Sequence, residues 1–224
     1  MIELKSGQMS DKFITGSILA LVGGFLDAYS YICRGKVFAN AQTGNIVLLG
    51  VRLSERDFVG ALHYFEPIVA FIVGIVIANV IKFRYKDKQL VHWRQIIVGL
   101  ELVMILVVAN IPQGHLDSIA NIIVSFVCSL QVESFRKVNG YAYASTMCTG
   151  NLRSATERIF NYLKTKDVKS LKASLHYYGI ILFFIIGAAI GSIITGMLWT
   201  RAVYVAAIGL VVVVLIMFKK SEGK

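Results

Sequence analysis

Thr43-Gly44-Asn45 recurs as Thr149-Gly150-Asn151, and each copy follows an apolar stretch that carries an acid, Asp27 in the first case and Glu133 in the second. The residue types suit a helix that begins at each motif. A threonine hydroxyl can cap a helix start, and glycine lets a ligand or a neighbouring backbone come close. A helix start also presents free N–H groups and a positive partial charge, which favours an anionic or hydrogen-bond-accepting ligand. Asn40-Ala41-Gln42 precedes the first motif and Ser145-Thr146 the second. The candidate solute contacts are therefore Asn40, Gln42, Thr43, Gly44, Asn45, Thr146, Thr149, Gly150 and Asn151. The competing reading is a tight helix–helix contact, since small residues let membrane helices pack closely.

Three acids fall within apolar segments: Asp27, Glu133 and Glu101. Carboxylates there cost roughly 2.5–3.5 kcal/mol on insertion scales at a helix centre, so each calls for a function or a specific partner. As proton-coupling groups, Asp27 and Glu133 would take up and release a proton or accept from substrate N–H groups. As structural ion pairs, Asp27 would meet Arg34 or Lys36, and Glu133 would meet Arg136 or Lys137. Glu101, isolated among apolar residues and not echoed in the second copy, stands between a proton relay and a structural hydrogen bond.

These residues belong to a duplicated chain. A shift of 106 sets Asp27 on Glu133 and the two Thr-Gly-Asn motifs on each other. A shift of 113 sets Leu62-His63-Tyr64 on Leu175-His176-Tyr177 and Gly74 on Gly187. Two matched blocks in the same order indicate two copies of one unit, divided here as residues 1–112 and 113–224.

The elements that must position the motifs are membrane helices. Of 224 residues, 56% are hydrophobic and 16% charged, and Ile181–Met197 and Ala202–Phe218 carry no charge. Six crossings fit, at about 13–33, 61–82, 95–112, 118–135, 173–195 and 201–218, all helical because lipid satisfies no backbone polar group. The first has no small-residue cleavage site after it and reads as a retained helix. All but five of the 23 lysines and arginines fall on one side of this arrangement; the exceptions are Arg34, Lys36, Arg52, Arg56 and Arg201. That bias places both termini in the cytoplasm and accounts for the +10 charge without a nucleic-acid partner.

The motif segments are too short or too polar to cross and read as re-entrant half-helices, 43–56 and 149–163. Three crossings per copy is an odd number, so the second copy enters the membrane inverted. Inverted repeats with broken helices meeting near the midplane are a recurring transporter plan. The expected fold is an all-α membrane protein of six transmembrane helices in two inverted three-helix repeats, each with a half-helix starting at Thr-Gly-Asn.

Other chemistry is absent from the pattern. Cys33, Cys128 and Cys148 have no paired or metal-like spacing and read as buried apolar residues. His63 and His176 read as interfacial packing, and His115 stands alone. No phosphate-binding loop, Ser-His-Asp arrangement or His-Glu-x-x-His helix is present. No enzyme activity, cofactor or metal is expected.

Gly24-Phe25-Leu26-Asp27-Ala28, followed by Phe38-Ala39-Asn40-Ala41-Gln42-Thr43-Gly44-Asn45, resembles the YoaK-like family of small bacterial membrane proteins, a domain-of-unknown-function family. The resemblance covers nearly the whole chain and implies a bacterial plasma-membrane protein of this size, with no substrate attached. The expectation is a secondary transporter for a small polar or anionic solute, held between two opposed half-helix starts and proton-coupled through Asp27 and Glu133. A channel for a small ion or polar solute and a non-transporting membrane adaptor are the alternatives. The lipid bilayer and the solute are the expected partners, and a bundle this small suggests a homodimer.

Overall fold

The computed structural model describes residues 11–86, 92–143 and 145–218. Of the cations used to assign sidedness, Lys5, Lys88, Lys219, Lys220 and Lys224 lie outside the described residues. The described chain forms eight α-helices: α1 (Phe13–Cys33), α2 (Gln42–Ser54), α3 (Phe58–Tyr85), α4 (Trp93–Ala109), α5 (Asp117–Ser134), α6 (Cys148–Thr165), α7 (Val168–Leu198) and α8 (Val203–Phe218). Two departures from helix went unforeseen. A short antiparallel hairpin, β1 (Lys137–Val138) with β2 (Tyr141–Ala142), follows α5. A 3-10 turn at Trp199–Ala202 separates α7 from α8, entered through Trp199 at φ 56°.

Three helical stretches are long and apolar enough to cross a membrane: Phe13–Cys33, Phe58–Tyr85 and the 50-residue run Val168–Met217, which contains both α7 and α8. At about 1.5 Å per residue that last run is long enough for two passes. α4, with 17 residues, is slightly short by the same measure. α5 buries Asn121, Ser125, Ser129 and Gln131 among its apolar residues. The outer faces of α3 and α7 expose Phe65, Ile72, Val76, Leu182, Ile185 and Ile193, an apolar surface suited to lipid.

Several starts are set by local chemistry. Asp57 accepts from the Gly60 N–H at 2.9 Å and caps α3; Asp167 accepts from the Lys169 and Ser170 N–H groups and caps α7. The Ser170 hydroxyl, together with those N–H groups, holds the Asp167 carboxyl below the usual carboxylate range. Each cap follows a basic residue in the left-handed region, Arg56 (φ 59°) and Lys166 (φ 58°). The two turns are equivalent, joining α2 to α3 and α6 to α7. His92 and Gln95 form a capping box at the start of α4.

α1 lies at the centre, with Leu19, Val22, Phe25, Leu26 and Tyr29 in the largest core cluster beside residues of α4, α5 and α8. The principal neighbours are α1 with α7, α3 with α5, α2 with α3, α6 with α7, α4 with α5, α1 with α8 and α4 with α8. α1 and α7 approach so closely that a Cβ at Gly24 would meet the Phe184 carbonyl, and one at Gly187 the Leu21 carbonyl. At the matching place in the α3–α5 pair, a Cβ at Gly74 would meet Ser129 and the Phe126 carbonyl.

Polar contacts record which ends lie together. Arg34, just past α1, donates to Asp117 at the start of α5 (2.8 Å) and to the Ile111 carbonyl after α4 (2.8 Å). At the other end Arg94, opening α4, pairs with Asp11 before α1 (3.0 Å) and donates to the Ser134 carbonyl closing α5 (2.9 Å). Gln95 reaches the Met217 carbonyl near the end of α8. Thus α1 and α4 run one way, and α5 and α8 run the other.

Candidate functional site

Both motif helices start against one cavity of about 820 Å³. From the first copy it is lined by Asp27, Asn40, Gln42 and Thr43; from the second, by Thr146, Cys148, Thr149 and Gly150. Tyr31, Phe38, Phe71, Phe184 and Met147 supply its apolar wall, with Tyr31 and Phe38 stacked 4.8 Å apart. Among the described residues no lysine or arginine lines it.

The helix starts differ from the expected caps. α2 begins at Gln42 with Ala41 at the cap position, and α6 at Cys148 with Met147 there; neither start has a side-chain cap within its own segment. Thr43 and Thr149 lie one residue inside their helices, too far along for a capping hydroxyl. At the first start Asp27, 13 residues upstream of Asn40, instead holds the turn that leads into the helix. Its carboxylate accepts the Asn40 N–H at 2.7 Å and also interacts with the Ala41 N–H. The turn is further closed by the Gln42 and Gly44 N–H groups, which donate to Asn40 and Ala41 carbonyls.

The remaining first-copy residues hold this turn in shape. Asn45 is fully buried: its Oδ1 accepts the Phe38 N–H at 3.1 Å, and its Nδ2 donates to the Phe38 carbonyl at 2.7 Å and to Gln42 Oε1 at 2.9 Å. Gln42 in turn donates to the Ala39 carbonyl. Gly44 sits against the Phe38 ring. Asn45 and Gly44 therefore build the wall of the cavity and do not face it. Asn40 does face it. Its Nδ2 donates to the Gly23 carbonyl, while its Oδ1, in a side chain 5% exposed, has no hydrogen-bond partner.

The second start is barer. No acceptor among the described residues takes the N–H groups of Cys148, Thr149 or Gly150, and a Cβ at Gly150 would meet nothing within 4 Å. Thr146 is 5% exposed, and its Oγ1 has no partner. Ser145 receives a hydrogen bond from Gln131. Asn151 is buried and does not line the cavity.

The acids separate. Asp27 is at the cavity, but its expected partner Arg34 is not: that guanidinium is fully buried with Tyr29, Asp117 and the carbonyls of Val108, Ile111 and Pro112. Glu133 is absent from the cavity and pairs with Arg136 at 3.5 Å near the surface. The repeat match places its backbone opposite Asp27, but α5 ends one residue later, at Ser134, and the carboxylate turns outward. Glu101 on α4 is fully buried, away from the cavity, and neither oxygen has a hydrogen-bond partner.

The histidines pack at the segment ends. His63 contacts the Gly35 carbonyl at 2.9 Å, and His176 contacts Asn139 at 2.9 Å. No group of three or more His, Cys, Asp or Glu side chains able to hold a metal exists among the described residues. The sequence reading overlooked the stacked Tyr31–Phe38 pair and the Asp27–Asn40 link; the paired occurrence of Asp57 and Asp167 after a basic residue was a further visible signal.

No solved structure matches the chain. A relative in Bacillus subtilis (strain 168), described as UPF0700 transmembrane protein YoaK, is 28% identical over 159 residues, covering 68% of this chain and 69% of the relative. The family described as "Protein of unknown function (DUF1275)" matches residues 15–216. With nearly the whole length matched and the apolar helices in place, the chain belongs to this transmembrane family of unknown function.

Proposed function

We propose that this chain is a secondary transporter for a small polar solute, bound between the starts of α2 and α6. The observation that carries the reading is that Thr43 of one copy and Thr149 of the other line a single cavity, with two buried polar atoms there, Asn40 Oδ1 and Thr146 Oγ1, lacking partners. Buried polar groups are normally paired, so a solute or water is the natural complement.

In this reading residues 1–112 and 113–224 are inverted halves with six crossings. Exchanging α1 with α5, α2 with α6, α3 with α7 and α4 with α8 turns each principal packing pair into another: α1–α7 becomes α5–α3, α2–α3 becomes α6–α7, and α4–α8 maps onto itself. The half-helices then dip from opposite faces of a bacterial inner membrane, with both termini on the cation-rich cytoplasmic side. Asp27 is the coupling group nearest the solute. Glu101 is a second protonatable group behind it, and Glu133 has no part.

Proteoliposomes offered a panel of small polar metabolites should accumulate at least one saturably. Asn40→Val and Thr146→Val should each lower that uptake by roughly tenfold or more, about 1.4 kcal/mol of lost solute contact, whereas Glu133→Gln should leave it unchanged. Conductance far above carrier turnover would reassign the chain to a channel. Absence of flux for every solute, with both variants losing stability instead, would contradict transport.

A further inference from the structure

The two helix starts that face the cavity are not electrostatically equivalent, and the difference specifies a ligand. At the α2 start Asp27 takes the N–H of Asn40, and turn carbonyls take those of Gln42 and Gly44, which among the described residues leaves the Thr43 N–H as the one donor without an acceptor there. Beside that single donor this wall offers a ligand acceptors, the Asp27 carboxylate and the unpartnered Asn40 Oδ1. At the α6 start the repeat-related acid is turned away to Arg136. That wall offers the free N–H groups of Cys148, Thr149 and Gly150, the positive end of an 18-residue helix and the unpartnered Thr146 hydroxyl. The Tyr31–Phe38 stack, Phe71, Phe184 and Met147 give the same cavity an apolar lining.

We propose that the cavity selects a small zwitterion with an apolar body, of the apolar amino-acid class, its ammonium on the Asp27–Asn40 wall and its carboxylate on the α6 start. The inference rests on the cavity being the solute site and goes on to name the class of solute. A lone anion would leave Asp27 uncompensated beside it, because among the described residues no lysine or arginine lines the cavity, and Lys36 lies over the Tyr31 ring. A lone amine would leave the α6 N–H groups without an acceptor. An ammonium and a carboxylate joined on one carbon satisfy both walls, and the aromatic wall takes the side chain. No bond is made or broken.

The test uses the purified full chain in detergent micelles, with binding measured by calorimetry. Probes are leucine and phenylalanine, their counterparts lacking the ammonium (4-methylpentanoate and 3-phenylpropionate) and those lacking the carboxylate (3-methylbutylamine and 2-phenylethylamine). Each amino acid should bind roughly tenfold or more tightly than either counterpart. Asp27→Asn should reduce the amino acids to the affinity of the ammonium-free acids. Gly150→Val, which adds a side chain where the protein leaves open space, should remove binding while leaving the unfolding temperature in place. Failure of both amino acids to bind would overturn the inference. So would a counterpart binding as tightly as its amino acid; if Gly150→Val still removed that binding, the cavity would stand as the solute site and only the zwitterion would fall. Binding untouched by Gly150→Val would remove both.

Discussion

Gly187→Leu should abolish the folded protein. A Cβ at this position would press into the Leu21 carbonyl, with the Leu21 carbonyl carbon and Cα at 2.7 and 2.8 Å. These are backbone atoms of a central helix, which cannot step aside as the end of a flexible side chain can. Overpacking in an ordinary core typically costs about 1–3 kcal/mol; separating two helices along their main contact should exceed that range. Gly24→Leu should act alike, since its Cβ would meet the Phe184 carbonyl and approach the Ala188 nitrogen. Gly99→Leu is the control, because nothing lies within 4 Å of its Cβ. Size-exclusion profiles and unfolding temperatures of the three variants decide the matter. A monodisperse Gly187→Leu protein with unchanged unfolding would disprove the close crossing of α1 and α7.

Arg34→Met should be the next most damaging change. The guanidinium is completely buried and joins the end of α1 to both flanks of the α4–α5 connection, Asp117 at 2.8 Å, the Ile111 carbonyl at 2.8 Å and the Pro112 carbonyl at 3.2 Å, while it also donates to the Tyr29 hydroxyl of α1 at 2.9 Å. Removing one partner of a fully buried ion pair typically costs about 3–5 kcal/mol; Asp117 is 16% exposed and still accepts from the Gly114 N–H, which puts this loss at the lower end of that range. Arg34→Lys should recover only part of the loss, since one ammonium cannot reach acceptors spread around a planar fork. Arg34→Met combined with Asp117→Asn should be less harmful than the single change, because no unpaired charge remains. Thermal unfolding of the four proteins provides the comparison; equal unfolding of wild type and Arg34→Met would contradict the anchoring role.

Length and apolar content carried the helices. α1 and α5 begin and end within one residue of the expected segments, because each is a proline-free run in which apolar residues outnumber polar ones. α3 and α7 extend several residues beyond the expected segments, because Asp57 and Asp167 cap each helix a turn or more before the long apolar run begins. The duplication also pointed to the two motif starts, since a repeated Thr-Gly-Asn needs no knowledge of tertiary contacts to be seen.

Side-chain roles were harder to read, for a physical reason in each case. Thr43 has the chemistry of a cap, yet α2 starts without one and the turn before it is held by Asp27 from a different helix, a partnership that spacing alone cannot reveal. Asn45 looked like a ligand contact and instead clasps the Phe38 backbone. Glu133 aligns with Asp27 in the repeat, but alignment preserves backbone position and not the direction of a side chain at a helix end. Arg34 was the nearest cation to Asp27 in sequence, and α1 carries the two apart, so that Arg34 meets Asp117.

Sidedness of the two half-helices is the most direct test of the antiparallel arrangement. With Cys33, Cys128 and Cys148 replaced by serine, single cysteines at Ser54, closing α2, and Lys164, near the end of α6, can be exposed to a membrane-impermeant maleimide on intact cells. The account predicts labelling of the cysteine at position 54 without permeabilisation, and of that at position 164 only after it. Labelling of both positions from the same face would contradict it.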